Sequence, residues 1–442
     1  MIKHIVFVFA LIIVFELPAQ NIKYFSVDGA IAYAMDNNYQ VINAQKDVKA
    51  AIFKVKESTA IGLPQIDGSI QYNDNIARPV MILPPEFTQP GQSSEIQFGT
   101  KYDATLGASL NQLIFSGEYV VGLQAARKYL EKSNTDFFKS KVDVKQQVSN
   151  SYYDVLSASR ALKIVDSTLV VNRNQLNETR ELYNVGFSED IDVDQFELIV
   201  SDLEASALYL KNQLIISTAY LKFFLGLNNS DSIILTDNLE ELIDLRHKKG
   251  LIIDPFNVND NIDYISMEKQ KQLSRLQLKL EKSTYMPSLS ASLYYQTQAQ
   301  RDEWNFFNSG KWYSSSALGV TMNVPVFSSG MRRSKVKQAQ IAYEKLGVSQ
   351  QQLESQLNLQ FDAAKNEYMN AYRVYLNKQK NRKTAERIYN VTTVKYIEGL
   401  ATSLDILNTH TQFLNAENDY INSALSLLKT GEEIEKILAK EE

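Results

Sequence analysis

The chain carries nine prolines, and none falls between Pro90 and Pro255 or after Pro325. A proline inside a helix removes a hydrogen bond and clashes with the preceding turn, at a cost of ~3 kcal/mol. The two proline-free stretches therefore permit helices of unusual length. Glycine narrows the reading. From Leu123 to Leu225 the only glycine is Gly186, and from Val348 to Thr430 the only one is Gly399. Each interrupts a run rich in Gln, Glu, Lys, Leu, Ala and Asn. The pattern predicts two long antiparallel helical hairpins with tips at Gly186 and Gly399. The first incoming arm, Glu118 to Tyr183, would be ~100 Å long as one helix at 1.5 Å per residue.

The tip sequences fit this reading. The first runs from Tyr183 through Gly186, Phe187 and Ser188 to Asp192; the second runs from Tyr396 through Gly399, Leu400 and Thr402 to Asp405. Glycine can close the incoming helix in a left-handed conformation. Ser188 or Thr402 can then cap the outgoing helix, with acids in its first turn. Beyond the second tip, Leu404, Leu407, Thr411, Leu414, Asn418, Ile421, Leu425 and Leu428 recur in steps of three and four. Apart from Thr411 and Asn418, that stripe is expected to form a coiled-coil seam.

The tips lie 213 residues apart, as do Gly117 and Gly330, and Asp192 and Asp405. Three coincident offsets indicate an internal duplication. Upstream, Leu63-Pro64 and Met286-Pro287 correspond at an offset of 223, so the first repeat holds a longer loop between its proline and its later glycine. The expected organisation is a first repeat over 21–227, a linker or equatorial region over 228–260 and a second repeat over 261–442. Between proline and glycine in each repeat the apolar period changes to two. Tyr102, Ala104, Leu106, Ala108 and Leu110 share one face, as do Leu289, Ala291, Leu293 and Tyr295, and Leu318, Val320, Met322, Val324 and Val326. Ile66 to Tyr72 is a weaker fourth case. These segments are expected to be strands with one apolar and one polar face.

Ile5 to Phe15 is the one long apolar run, preceded by Lys3 and followed by Pro18-Ala19-Gln20. It reads as a secretory signal peptide over 1–20, and it is too short for a membrane helix, which needs ~20 residues. The net charge of −5 argues against a nucleic-acid partner. The chain has no cysteine, which removes disulfides, cysteine nucleophiles and a lipoprotein anchor. His4, His247 and His410 are far apart, so no metal site or other cofactor is expected, and no catalytic constellation is visible. They are assigned to the leader, the linker and a helix surface respectively. An enzyme is not expected. Four strands do not close a membrane barrel, since the smallest have about eight. If the strands enter a membrane, several chains share one barrel.

These features together resemble the TolC-type outer-membrane efflux family. The resemblance spans nearly the whole chain after the leader. It rests on the start Ser26 to Asn38, the strand entries at Pro64 and Pro287, the strand exits Gln112 to Gly117 and Val324 to Gly330, and the two Tyr-x-x-Gly tips. It implies a fold that is mainly α with β, in which a homotrimer builds a twelve-stranded outer-membrane barrel and a periplasmic α-barrel. It further implies outer-membrane lipid around the strands and external loops over Asn73–Thr100 and Thr297–Ser315. The tips, with Gly186, Phe187, Ser188, Gly399, Leu400 and Thr402, would meet a periplasmic adaptor protein of an inner-membrane pump. Such a subunit is a passive exit duct for efflux or type I secretion. Matched to the family's aperture, Asp405 is the constriction acid, Asn408 stands where some members have a second acid, and Ala401 where some have an arginine. Asp192 is the equivalent acid of the first repeat, and Tyr396 matches a tip tyrosine that bonds across helices. The reading that competes with this one is an exported coiled-coil scaffold or adhesin outside the membrane. It accounts for the helices and the leader but not for the repeated strand pairs.

Overall fold

The computed structural model describes residues 22–84, 95–248, 256–308 and 310–440. The expected signal peptide lies outside them. Two helices dominate. α3, Gly117–Asn184, has 68 residues, and α7, Met331–Ile397, has 67. Each turns back into a shorter partner, α4 (Asp190–Leu225) or α8 (Ser403–Ile437). At 1.5 Å per residue the long arms reach ~100 Å. No described helix is long and apolar enough to cross a membrane, a test that is blind to β-barrel strands.

The strands form one antiparallel sheet in the order β2-β5-β7-β8: Gln65–Asp74, Tyr102–Ser116, Ser288–Arg301 and Tyr313–Asn323. One rung crosses all four strands as Ile66, Leu110, Leu293 and Leu318. A neighbouring rung on the other face runs Asp67, Ser109, Tyr294 and Ala317. The period-two pattern thus becomes a sheet with an apolar face, and that face is bare: Ile70 is 84% exposed and Leu318 75%. A soluble protein would cover it. Among the described residues, both outer strands, β2 and β8, keep an unpaired edge. Between β2 and β5 a short hairpin forms from β3 (Val80–Ile82) and β4 (Glu95–Gln97).

The fourth strand corrects its expected limits. It begins at Tyr313 and stops at Asn323, paired with Ser288, so Val324 and Val326 lie beyond it. Pro325 has no N–H to continue the ladder.

Each strand runs on into a helix. α2 (Tyr39–Ala60) leads into β2, β5 into α3, α6 (Ile262–Ser283) into β7, and β8 into α7. The helices pack side by side in the same order as the strands. The region read as a linker is folded in its first part. β6, Ile233–Leu235, pairs in parallel with β1, Lys23–Phe25, and α5, Leu239–Lys248, follows and holds His247. Leu239 and Ile243 of α5 join the main core with Val148 and Tyr152 of α3, Leu221 and Leu225 of α4, and Tyr420 and Leu427 of α8. The Tyr152 hydroxyl lies 2.8 Å from the carbonyl of Phe25 and 3.0 Å from Asp237 Oδ2, and Asp237 Oδ2 accepts the amide of Val27 at 2.6 Å. One buried tyrosine therefore ties the start of the chain, the mid-chain segment and α3 together. α1 (Val27–Asn37) lies in the same cluster through Ala30 and Ala34.

Candidate functional site

Both tips end their incoming helix the same way. Gly186 and Gly399 have φ of +80° and +74°. The amide of Phe187 bonds the carbonyl of Leu182 at 2.8 Å, and that of Leu400 bonds Lys395 at 2.7 Å. This double closure satisfies the last carbonyls of each helix and leaves the next side chain outside. Phe187 is 83% exposed and Leu400 76%. Each tip thus presents a large apolar residue to its surroundings, with Val185 and Ile191 exposed beside Phe187 and Ile397 and Leu404 beside Leu400.

The outgoing helices start differently. Thr402 caps α8 as expected: its hydroxyl accepts the Asp405 amide at 3.2 Å, and the Asp405 carboxylate accepts the Thr402 amide at 2.9 Å. In the first tip the cap is Glu189, not Ser188. The Glu189 amide donates to Asp192 at 3.2 Å, while the Ser188 hydroxyl donates to Asp192 at 3.0 Å.

The equivalent acids therefore differ in environment. Asp405 and Asn408 are exposed. The Thr402 amide and hydroxyl hold the Asp405 carboxyl below the usual carboxylate range. Asp192 is half-buried, and its second oxygen accepts the hydroxyl of Ser403, the first residue of α8. The hydrogen bonds from Ser403, Glu189 and Ser188 outweigh its burial and lower its pKa. Tyr396 supplies a second contact between hairpins. Its hydroxyl is 3.3 Å from Thr179 on α3 and its ring centroid 5.6 Å from Phe196 on α4. Burial raises its pKa. The structure thus brings Asp192, Ser403, Tyr396 and Thr179 together across the two hairpins, and leaves Asp405 and Asn408 free at the surface. Ser403 and Thr179 carry no sequence signal of their own; only the fold gives them partners.

Beneath the tips, the α7–α8 seam corrects the expected stripe. Ser403, Ile406, His410, Glu417, Tyr420, Ala424 and Leu427 are buried, one residue before expected positions, while of the expected stripe Ile421 and Leu428 are buried and Leu407, Leu414 and Leu425 are partly so. Leu404 is 51% exposed, and Thr411 and Asn418 are exposed as well. His410, assigned to the surface, is 4% exposed and lies 5.6 Å from the ring of Tyr389. With Nε2 unpartnered, burial pushes its pKa down to about 4. The helix meets more than one neighbour, so its apolar arc is wide. Against α7 stand His410 and Phe413 beside Tyr389, Glu417 beside Arg382 and Tyr420 beside Tyr375.

A bare-faced sheet that continues into ~100 Å helices leaves few architectures open, and comparison with known proteins decides among them. The sequence profile described as Outer membrane efflux protein matches residues 30–227 and 261–440, which is most of the chain. The chain belongs to the outer membrane efflux protein family. TolC of Vibrio cholerae is 22% identical over 414 residues, covering 89% of this chain and 87% of that protein. TolC of Salmonella enteritidis is 20% identical over 409 residues, covering 88% and 78%. Among solved structures, the outer membrane protein VceC of Vibrio cholerae superposes with a TM-score of 0.70 at 16% identity, over 94% of this chain and 96% of that one. The Campylobacter jejuni CmeC outer membrane channel gives 0.72 at 17%, over 93% and 85%. This member of the family is an outer-membrane channel with a large periplasmic part, mainly α with β. Family membership favours the duct over the exported scaffold, and this is a family of transport channels rather than of enzymes.

Proposed function

We propose that three copies of this chain assemble into one closed duct, which conducts cargo passively to the exterior once opened by a periplasmic adaptor and an inner-membrane pump. The open sheet carries the reading. β2 and β8 each offer a free edge, and joining β8 of one copy to β2 of the next gives twelve strands and no exposed edge. The bare face of Ile66, Ile70, Leu318 and Val320 then meets outer-membrane lipid. The helices, ordered as the strands are, continue the wall inward.

The two repeats are 21–227 and 261–442, with 228–260 as the equatorial region between them. Phe187 and Leu400, flanked by Gly186, Ser188, Gly399 and Thr402, are the contacts for a periplasmic adaptor of an inner-membrane pump. Asp405 and Asn408 line the aperture, and the bonds Ser403–Asp192 and Thr179–Tyr396 hold the two hairpins together when it is closed.

The test uses the cysteine-free background. Ile70→Cys on β2 combined with Val320→Cys on β8, oxidised in intact membranes, should yield a covalent trimer on a denaturing gel. Only monomer across a panel of such edge pairs would refute the shared barrel.

A further inference from the structure

The loop between β7 and β8 holds both tryptophans of the chain, Trp304 and Trp312, with Phe306 and Phe307 between them. Its base is tied on two sides. The Arg301 guanidinium donates to the carbonyl of Lys311 at 2.8 Å. Asp302 accepts from Arg78 at 3.1 Å and from the Lys101 amide at 3.3 Å, both in the connection between β2 and β5. The loop is therefore held toward the β2–β5 side of the sheet.

The ladder sets which face it lies on. Tyr72, Ala104 and Ala299 form one rung and Tyr102 belongs to the next, on the face that also carries Ile66, Ile70 and Leu318. Phe306 is buried and stands edge-on to Tyr72, with ring centroids 5.9 Å apart, and Trp312 lies 6.3 Å from Phe306. Ala299 is fully buried on a face that is otherwise bare. The loop thus folds back over the apolar face, at the end remote from the helices. Two of its rings stay uncovered: Trp304 is 60% exposed and Phe307 89%, with centroids 5.8 Å apart. Their height on the sheet is informative. Leu289 and Ala299 are ten positions apart on β7, which is ~34 Å along the strand and ~24 Å in height at a 45° tilt. That is the height of the apolar band of an outer-membrane barrel, about 25 Å, whose rims carry aromatic rings.

We propose that this loop is a membrane anchor: it lies back on the lipid side of the barrel and seats Trp304 and Phe307 among the lipid headgroups of the outer leaflet. The inference rests on the duct reading, which turns the Ile70 face to lipid. An indole joins a large apolar ring to an N–H that needs a partner, so the headgroup layer suits it better than water or hydrocarbon. A loop standing clear of the membrane would leave Phe307 in water. Because the base of the loop is tied, the rings have a fixed height on the barrel and hold it at that depth in the bilayer.

The test is fluorescence quenching of the full-length protein in vesicles. Trp312→Phe leaves Trp304 as the one tryptophan. The vesicles are phosphatidylcholine brominated either at the headgroup end of the acyl chain or near its tip, and iodide is the aqueous quencher. Headgroup-end bromine should quench Trp304 about twofold more strongly than chain-tip bromine, and iodide should quench it less than in the urea-unfolded chain. Free quenching by iodide with no effect of bromine would overturn the proposal. So would shielding from both, which would put protein over the rings. A reference variant, Leu318→Trp combined with Trp304→Phe and Trp312→Phe, reports on the middle of the apolar face. Its quenching by chain-tip bromine keeps the lipid-facing sheet even where the anchor fails, and its absence would refute both.

Discussion

Ser403 on α8 donates its hydroxyl to Asp192 on α4, joining the first turns of two helices that start 213 positions apart in the chain. The same carboxylate accepts from Ser188 and from the Glu189 amide, so the first tip holds it ready for the second. Removing the donor leaves the acid in place without its link to α8. Ser403→Ala should therefore favour the open aperture, by roughly 1–2 kcal/mol or about tenfold in the open-to-closed ratio. Single-channel recording reads this directly. Ser403→Ala combined with Asp192→Asn should add little to either change alone, and unaltered gating in all three variants would show that the bond holds nothing shut.

Asp405 has the opposite position. Its carboxylate is tied only to Thr402 in its own turn and is otherwise exposed. In the proposed trimer it would form a ring of like charge, which attracts cations. Asp405→Ala should move the reversal potential in a salt gradient toward the non-selective value, while Asn408→Ala should not. The Thr402 bonds lower the Asp405 pKa, so the charged form persists below the usual carboxylate range. Cation preference should hold through that range and disappear only as pH falls further. Undiminished selectivity in the alanine variant would remove Asp405 from the constriction.

Gly186 and Gly399 have positive φ but open space where a Cβ would stand. Substitution there is a matter of backbone strain alone. Valine should cost ~1–2 kcal/mol per tip, and asparagine less, because it tolerates the left-handed region. Adaptor-dependent transport should fall in that order in each mutant. Normal transport in both valine variants would place the adaptor contact elsewhere.

His410 predicts a pH-dependent weakness. In the fold its pKa is near 4, against 6.5 when unfolded. Between these values the unfolded chain takes up a proton that the folded chain refuses. Stability should therefore fall as pH drops from about 6.5 toward 4, by up to ~3 kcal/mol, and show no further loss from this group below that. Thermal denaturation at a series of pH values should show the decline, and His410→Leu should flatten it. An identical slope in the variant would assign the effect to other groups.

The long helices, their tips and the strand faces were readable because each follows from a local rule. Absent proline and glycine permit α3 and α7, Gly186 and Gly399 end them, and alternation marks Tyr102 to Leu110. What escaped depends on neighbours. The stripe beginning at Leu404 has good heptad spacing, yet near the tip the buried face is the one beginning at Ser403, and the stripe itself is fully buried only at Ile421 and Leu428. Periodicity reports that a helix has an apolar arc, not which edge of the arc meets which partner. The Asp192–Ser403 bond had no signature at all, since neither residue is unusual in a first turn and only the docking of two hairpins makes them meet. The segment after Asn228 looked like a linker because its strand has three residues, too few for a pattern.

That short strand has a consequence for how the chain is made. β1 pairs in parallel with β6, and Tyr152 bonds Phe25 and Asp237 across the pair. Residues 23–25 thus have no strand partner until position 233 has been synthesised and exported. The local α3–α4 hairpin can form first, at low loop-closure cost, while the amino-terminal segment waits. Assembly order is built into the connectivity: the first described strand of the chain is among the last to be fastened.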